Sequence, residues 1–190
     1  MSIYYDKSMK IPFLKKKWIS QEQMMDRESL LKGFISPIDK KSKTQDSILY
    51  EQDDVDNPQE VVGESFRQKP FIKQFGKHTK EGYNETCEVV LYPEPENEKD
   101  RFAVKVLISA GHIGYLPKNN AKKIQELLIR TIHQTQKLVA VKGVVRGGWK
   151  QGMLGRDKAN FGVTLQVELK ELMAQMSETL ADPEQHYKPQ

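Results

Sequence analysis

The chain has 190 residues, a formal net charge of +4 and a single cysteine, Cys87. That length holds one ordinary domain with arms, and a lone thiol excludes both an internal disulfide and a multi-cysteine zinc site. No apolar run reaches the roughly 18 residues of a membrane span and no signal-peptide core stands near the N-terminus, so a cytoplasmic protein without a membrane partner is expected.

Residues 1–59 read as an N-terminal arm and linker. Lys7, Lys10, Lys15, Lys16 and Lys17 are interleaved with Tyr4, Tyr5, Phe13 and Trp18, and Ser20 with Gln23 predicts a capped helix ending near Gly33. The acidic run from Glu51 to Pro58 predicts the linker. Beyond it, residues 60–170 alternate as half-buried strands do. Cys87, Val89 and Leu91 share one face, Phe102, Val104, Val106 and Ile108 another, and Ser109-Ala110-Gly111 is a hairpin turn. Asn119 or Asn120 predicts the cap of a helix striped by Ala121, Ile124, Leu128 and Ile132. Val139, Val141 and Val145 predict a strand, and Val163, Leu165, Val167 and Leu169 the last one, with Thr164, Gln166, Glu168 and Lys170 facing water. Residues 171–190 read as a polar tail.

Six short strands with one amphipathic helix between the fourth and fifth do not make a parallel α/β sheet, which needs a crossover helix after nearly every strand. They predict a mainly β protein with one or two helices: a small OB-like antiparallel barrel plugged by an amphipathic helix, with an N-terminal arm. Charge sharpens this. Lys and Arg against Asp and Glu number 10 to 11 in residues 1–60, 19 to 11 in 61–170 and 1 to 4 in 171–190, so the positive excess belongs to the barrel. A basic domain with weakly acidic flanks is the footprint of a nucleic-acid binder, or simply a solvated lysine surface.

One cassette is more specific: Pro95-Glu-Asn97-Glu-Lys99-Asp100-Arg-Phe-Ala103-Val104-Lys-Val106, then Gly111-His-Ile113-Gly114-Tyr115-Leu116-Pro117, with Val61-Val62-Gly63-Glu-Ser-Phe66 upstream. It resembles the HIRAN domain, a β-barrel module fused to Swi/Snf-type DNA translocases and also found as stand-alone bacterial and phage proteins. The resemblance implies a DNA-binding module for single strands or 3′ ends, acting in repair, replication or mobile-element processing. It implies no catalytic residue and no cofactor. Any helicase, ATPase or nuclease activity would come from a partner, and a bacterial host would make the protein nucleoid-associated.

By this resemblance the DNA-binding residues are Phe66, Arg67, Lys99, Asp100, Tyr115, Lys118, Arg146 and Trp149. Phe66 occupies the family's aromatic position and either stacks on a base or lies in the core. Asp100 matches the aspartate that accepts a hydrogen bond from a terminal 3′-hydroxyl, and an Asx side chain at a strand entrance also ties down its own turn. Lys99 stands where end-binding members often carry an aromatic residue. Tyr115 and Lys118 flank the head of the helix, where phosphate is suited to the helix N-terminus. Arg67, Lys69, Lys73, Lys77 and Lys80 interleave with Phe71, Phe75 and Tyr83 in a loop that is either a single-strand groove or a closed aromatic cluster. The run Gly143-Val-Val-Arg146-Gly-Gly148-Trp149-Lys150 fails as a phosphate loop because Trp149 stands where lysine is required; it resembles the late turn of stand-alone HIRAN proteins.

Two other readings compete. Asp157 with Glu168-Leu-Lys170 loosely mimics the D…E-x-K pattern of metal-dependent nucleases. The Met-rich N-terminal arm suits a protein-interaction adaptor.

Overall fold

The alternating β-branched residues of the middle of the chain become a curled sheet in the computed structural model, which describes residues 46–152 and 157–181. The predicted helix at 20–33, with the rest of residues 1–45 on which the adaptor reading depends, lies outside the described residues. The elements in order are β1 (Ser47–Tyr50), β2 (Gln59–Glu60), a 3-10 turn (Glu64–Phe66), α1 (Gln68–Phe75), β3 (Tyr83–Pro93), β4 (Val104–Ile108), β5 (Gly111–Tyr115), α2 (Lys118–Thr135), β6 (Leu138–Gly147), β7 (Lys150–Gln151), β8 (Asp157–Lys158), β9 (Gly162–Leu165) and α3 (Leu169–Ala181).

The main sheet runs β2-β9-β6-β3-β4-β5 with every pairing antiparallel. Its two ends meet. Just past β2, Val62 N donates to Tyr115 O at 2.8 Å and Tyr115 N to Val62 O at 2.9 Å, joining this edge to β5. The result is the expected OB-like barrel of six main strands, with α2 between the fourth and fifth. Gly114 makes the seam possible: a Cβ there would stand 2.5 Å from Val61 Cγ1 and 2.8 Å from Val62 O. Inside, Val89, Leu91, Val104, Val106, Ile113, Val141, Val145 and Leu165 pack with Ile124, Leu128 and Ile132 of α2, all essentially inaccessible to water.

Several expectations are corrected. Residues 47–50, read within the arm, form β1, which lies parallel to Leu138–Val141 of β6 on the edge that β9 uses further along. The last strand ends at Leu165 rather than near Lys170: Gln166 N still donates to Lys142 O in register with β6, and Val167 N then turns back to Leu165 O. Glu168 and Lys170 therefore stand at the head of α3 instead of on a water-facing strand. Residues 171–181, read as tail, are most of that helix, and Leu172 and Met176 on it are fully buried. The loop after Arg67 contains α1. The predicted cap of α2 moves to Pro117, whose carbonyl accepts from Asn120 N and Ala121 N, while the Asn120 side chain donates to Gln59 Oε1 at 2.7 Å.

The aromatic residues of the 67–83 segment form a closed cluster. Phe71 is fully buried and stacks on Phe161 of the segment entering β9, with centroids 5.7 Å apart, and Tyr83 and His78 lean on the same ring at 5.1 and 5.2 Å. Gln68 clamps α1 to this place by donating to Phe161 O at 3.0 Å and accepting from Phe161 N at 2.8 Å. Of the two readings of this segment, the structure takes the closed aromatic cluster: the faces of these rings are spent on each other.

Candidate nucleic-acid interface

Two local structures build a cleft of about 600 Å³ at one end of the barrel, lined in part by Arg67, Asn97, Lys99, Asp100, Tyr115 and Lys118. The first is the loop between β3 and β4. Asn97 Oδ1 accepts from Lys99 N and Asp100 N, both at 3.0 Å, and Asp100 Oδ1 accepts from Phe102 N at 3.0 Å. Both Asx side chains thus hold their own turns, as such residues do. Asp100 does so with one oxygen of a carboxylate that offers about four acceptor sites. From below, the buried Gln125 of α2 donates to Arg101 O at 2.9 Å and Ala103 O at 3.0 Å, which fixes the loop to the plug.

The second is the corner from Gly63 to Arg67. Gly63 has φ 83°, the left-handed backbone that favours glycine, and starts the 3-10 turn that lifts Phe66 off the barrel. Phe66 is 89% exposed, which removes the core alternative for this residue. Arg67 folds back: its Nη1 donates to Gly63 O at 2.9 Å and its guanidinium lies over the Tyr115 ring, 5.1 Å from the centroid. His112 meets that ring edge-on at 4.7 Å.

Glu94 joins the two parts and was missed by the sequence reading. Its carboxylate pairs with Lys105, accepts from Asn97 Nδ2 at 2.6 Å and accepts from the Tyr115 hydroxyl at 3.2 Å. Burial alone would raise its pKa, but hydrogen bonds from Lys105, Asn97 and Tyr115, with the Lys105 charge, outweigh it and hold the group below the usual value. Burial and the Glu94 charge push the Tyr115 phenol up, so it stays a neutral donor. Burial, then the Arg67 and Lys105 charges, push His112 down, which keeps it neutral with Nε2 2.8 Å from Gly114 O. The only signal for Glu94 was its parity with Tyr92, whose cross-strand partner is Lys105, and that pairing becomes visible only in the fold.

Five of the eight expected residues, Arg67, Lys99, Asp100, Tyr115 and Lys118, line this cleft. Phe66, the chain neighbour of Arg67, is not among the lining residues. Arg146 and Trp149 do not line it. They lie at and beyond the far end of β6, where Arg146 Nε is 3.4 Å from Asn84 Oδ1 and Trp149 pairs with Thr79. The nuclease pattern does not assemble either: Asp157 is in β8, Glu168 precedes α3, and among the described residues no three His, Cys, Asp or Glu gather as a metal-binding group. No helix among them is long and apolar enough to cross a membrane.

A small OB-like barrel with an open cleft of mixed charge and an aromatic ring in its lining is a form that presents loops and one face to nucleic acid. The HIRAN domain family model matches residues 62–168, more than half of the chain, and the chain belongs to that family. HIRAN domains are in general DNA-binding modules, which makes DNA the class of partner. No curated protein and no solved structure is a significant match.

Proposed function

We propose that the chain is a non-catalytic module that binds the 3′ end of single-stranded DNA in the cleft between the Gly63–Arg67 corner and the 94–103 loop. The observation that carries this reading is the convergence of Arg67, Lys99, Asp100, Tyr115 and Lys118 on one cleft beside the 89% exposed Phe66. Phe66 stacks on the terminal base. Asp100 accepts from the 3′-hydroxyl and repels a 3′-phosphate, which an acceptor-only carboxylate does by charge. Lys99 and Lys118 meet backbone phosphates, the latter with the N-terminal amides of α2. Acting in repair, replication or mobile-element processing, the module would deliver ends to a separate helicase, ATPase or nuclease.

The test is fluorescence anisotropy on a strand ending in a 3′-hydroxyl, the same strand ending in a 3′-phosphate, and a blunt duplex. The expected order of affinity is hydroxyl, phosphate, duplex. Phe66→Ala weakens both single strands by about 5- to 150-fold, the range of one stacked base. Asp100→Asn keeps the acceptor for Phe102 N and erases the preference for the hydroxyl. Equal affinity of the unmodified protein for all three oligonucleotides overturns end recognition.

A further inference from the structure

The cleft leaves an electrostatic question open, because its lining holds Arg67, Lys99 and Lys118 against Glu94, Glu96, Glu98 and Asp100, a formal balance of −1. Phosphate neutralisation dominates affinity for nucleic acid, so a site of this sign orients an end without holding a long polyanion. The excess of positive charge in residues 61–170 must serve elsewhere.

At the other end of β3 it gathers on three segments. The turn before β3 carries Lys77 and Lys80. This turn is tied to the strand after β6 by Thr79 N donating to Gly148 O at 3.0 Å and Lys150 N donating to Thr79 O at 2.7 Å. Next to it stand Arg146 at the end of β6 and Trp149, 36% exposed. Then β7 and β8 pair so that Lys150 is directly opposite Lys158, both exposed. Like charges facing across a ladder destabilise it, and none of these five cations is held in an ion pair with a described residue. Glu81 and Asp157 are the acidic residues on the same segments, giving five cations against two carboxylates.

We infer that this end of the barrel is a second contact surface for the same strand, with Lys77, Lys80, Arg146, Lys150 and Lys158 on the phosphates upstream of the 3′ end and Trp149 under one of its bases. The inference rests on the reading of the chain as a single-strand binder. Cations beside an exposed indole match what single strands need, charge for the backbone and a π-face for any base. The span also fits. The 11 residues of β3 reach at most ~37 Å, which about ten stacked nucleotides would cover at 3.4 Å each.

The experiment compares anisotropy on 3′-hydroxyl single strands of 4, 8 and 12 nucleotides at several salt concentrations. Unmodified protein is expected to gain about tenfold or more in affinity between 4 and 12 nucleotides, with a steeper salt dependence for the longer strand. A Lys150→Glu/Lys158→Glu variant, checked for an unchanged Tm, loses that gain and about one to two units of salt slope, at roughly 0.7 per phosphate, yet binds the 4-mer as before. Trp149→Ala lowers the 12-mer affinity by about fivefold or more and spares the 4-mer. A gain with length that survives in both variants, or an equal loss on 4-mer and 12-mer, overturns the inference. A 12-mer gain in a protein indifferent to its 3′ terminus would sink the cleft reading and leave this one standing.

Discussion

Single side chains in this molecule carry two duties, and Glu64 shows the physical tension most plainly. It belongs to the corner that displays Phe66, yet its carboxylate turns into the barrel seam, accepting from Val163 N at 2.5 Å in space left by Gly114 and Gly162. Burial, partly opposed by the Val163 hydrogen bond, pushes its pKa up to about 7, and the Glu60 charge adds to the rise. An acid with a higher pKa when folded binds more protons folded than unfolded, so stability falls as pH rises from about 4.5 to about 7 and stays reduced above. Glu64→Gln, which keeps an acceptor for Val163 N, is expected to remove that slope and to stabilise the protein at pH 8 by on the order of 1 kcal/mol, since the carboxylate is still partly solvated. Urea denaturation of both proteins at pH 5 and pH 8 checks it; parallel pH profiles would refute it. His112, depressed by burial, works in the opposite sense at lower pH, which is why the difference between the two proteins is the quantity to read. At Glu94 the expected outcome is functional. Glu94→Gln frees Lys105 and loosens both the Asn97 turn and Tyr115, so DNA affinity should fall about three- to tenfold with the fold intact, as judged by circular dichroism.

Among the elements, those legible in the sequence are the ones whose period is unbroken. Val104 to Ile108 alternates cleanly and is β4; Ala121, Ile124, Leu128 and Ile132 repeat at helical spacing and form the buried stripe of α2. The cleft was legible to the extent that its residues cluster in sequence around the 95–118 cassette. What escaped lay where two periods overlap or where contacts are distant. Val163 to Leu169 alternates as a strand, and the same Leu169 begins the spacing Leu169, Leu172, Met173, Met176 of α3. The backbone turn just after Gln166, where Val167 N donates to Leu165 O, decides between them, and the hydrophobic pattern does not announce it. Similarly, α1 and its rings resolve only because Phe161, about ninety residues later, supplies the surface they cover. A prediction follows for α3. Leu172→Ala, at a site with no exposure, should cost about 2–5 kcal/mol in chemical denaturation, whereas a change of 0.5 kcal/mol or less would return residues 171–181 to the status of a tail.

For the whole molecule, closure of the sheet depends on a single narrow place. Gly114→Ala would drive a methyl group into Val61 and the Val62 carbonyl, so a loss of about 1–3 kcal/mol is expected, together with weaker DNA binding, because Tyr115 and Arg67 ride on the displaced seam. Thermal melts and anisotropy on the same preparation measure both, and an unaltered Tm would mean that the two edges are not held as described. The tie between β1 and α3 reaches further. The Tyr50 hydroxyl donates to Thr179 Oγ1 at 2.9 Å, Leu138 N donates to Asp46 O at 2.9 Å, and Gln134 Nε2 donates to Leu180 O at 3.1 Å. Residues 46 and 180 are thus moored within a few residues of each other, at the start of β6 and in the last turn of α2. The described part of the chain enters and leaves at one pole, like a pendant on a doubled thread. Such a unit can be spliced into a surface loop of another protein without stretching its host.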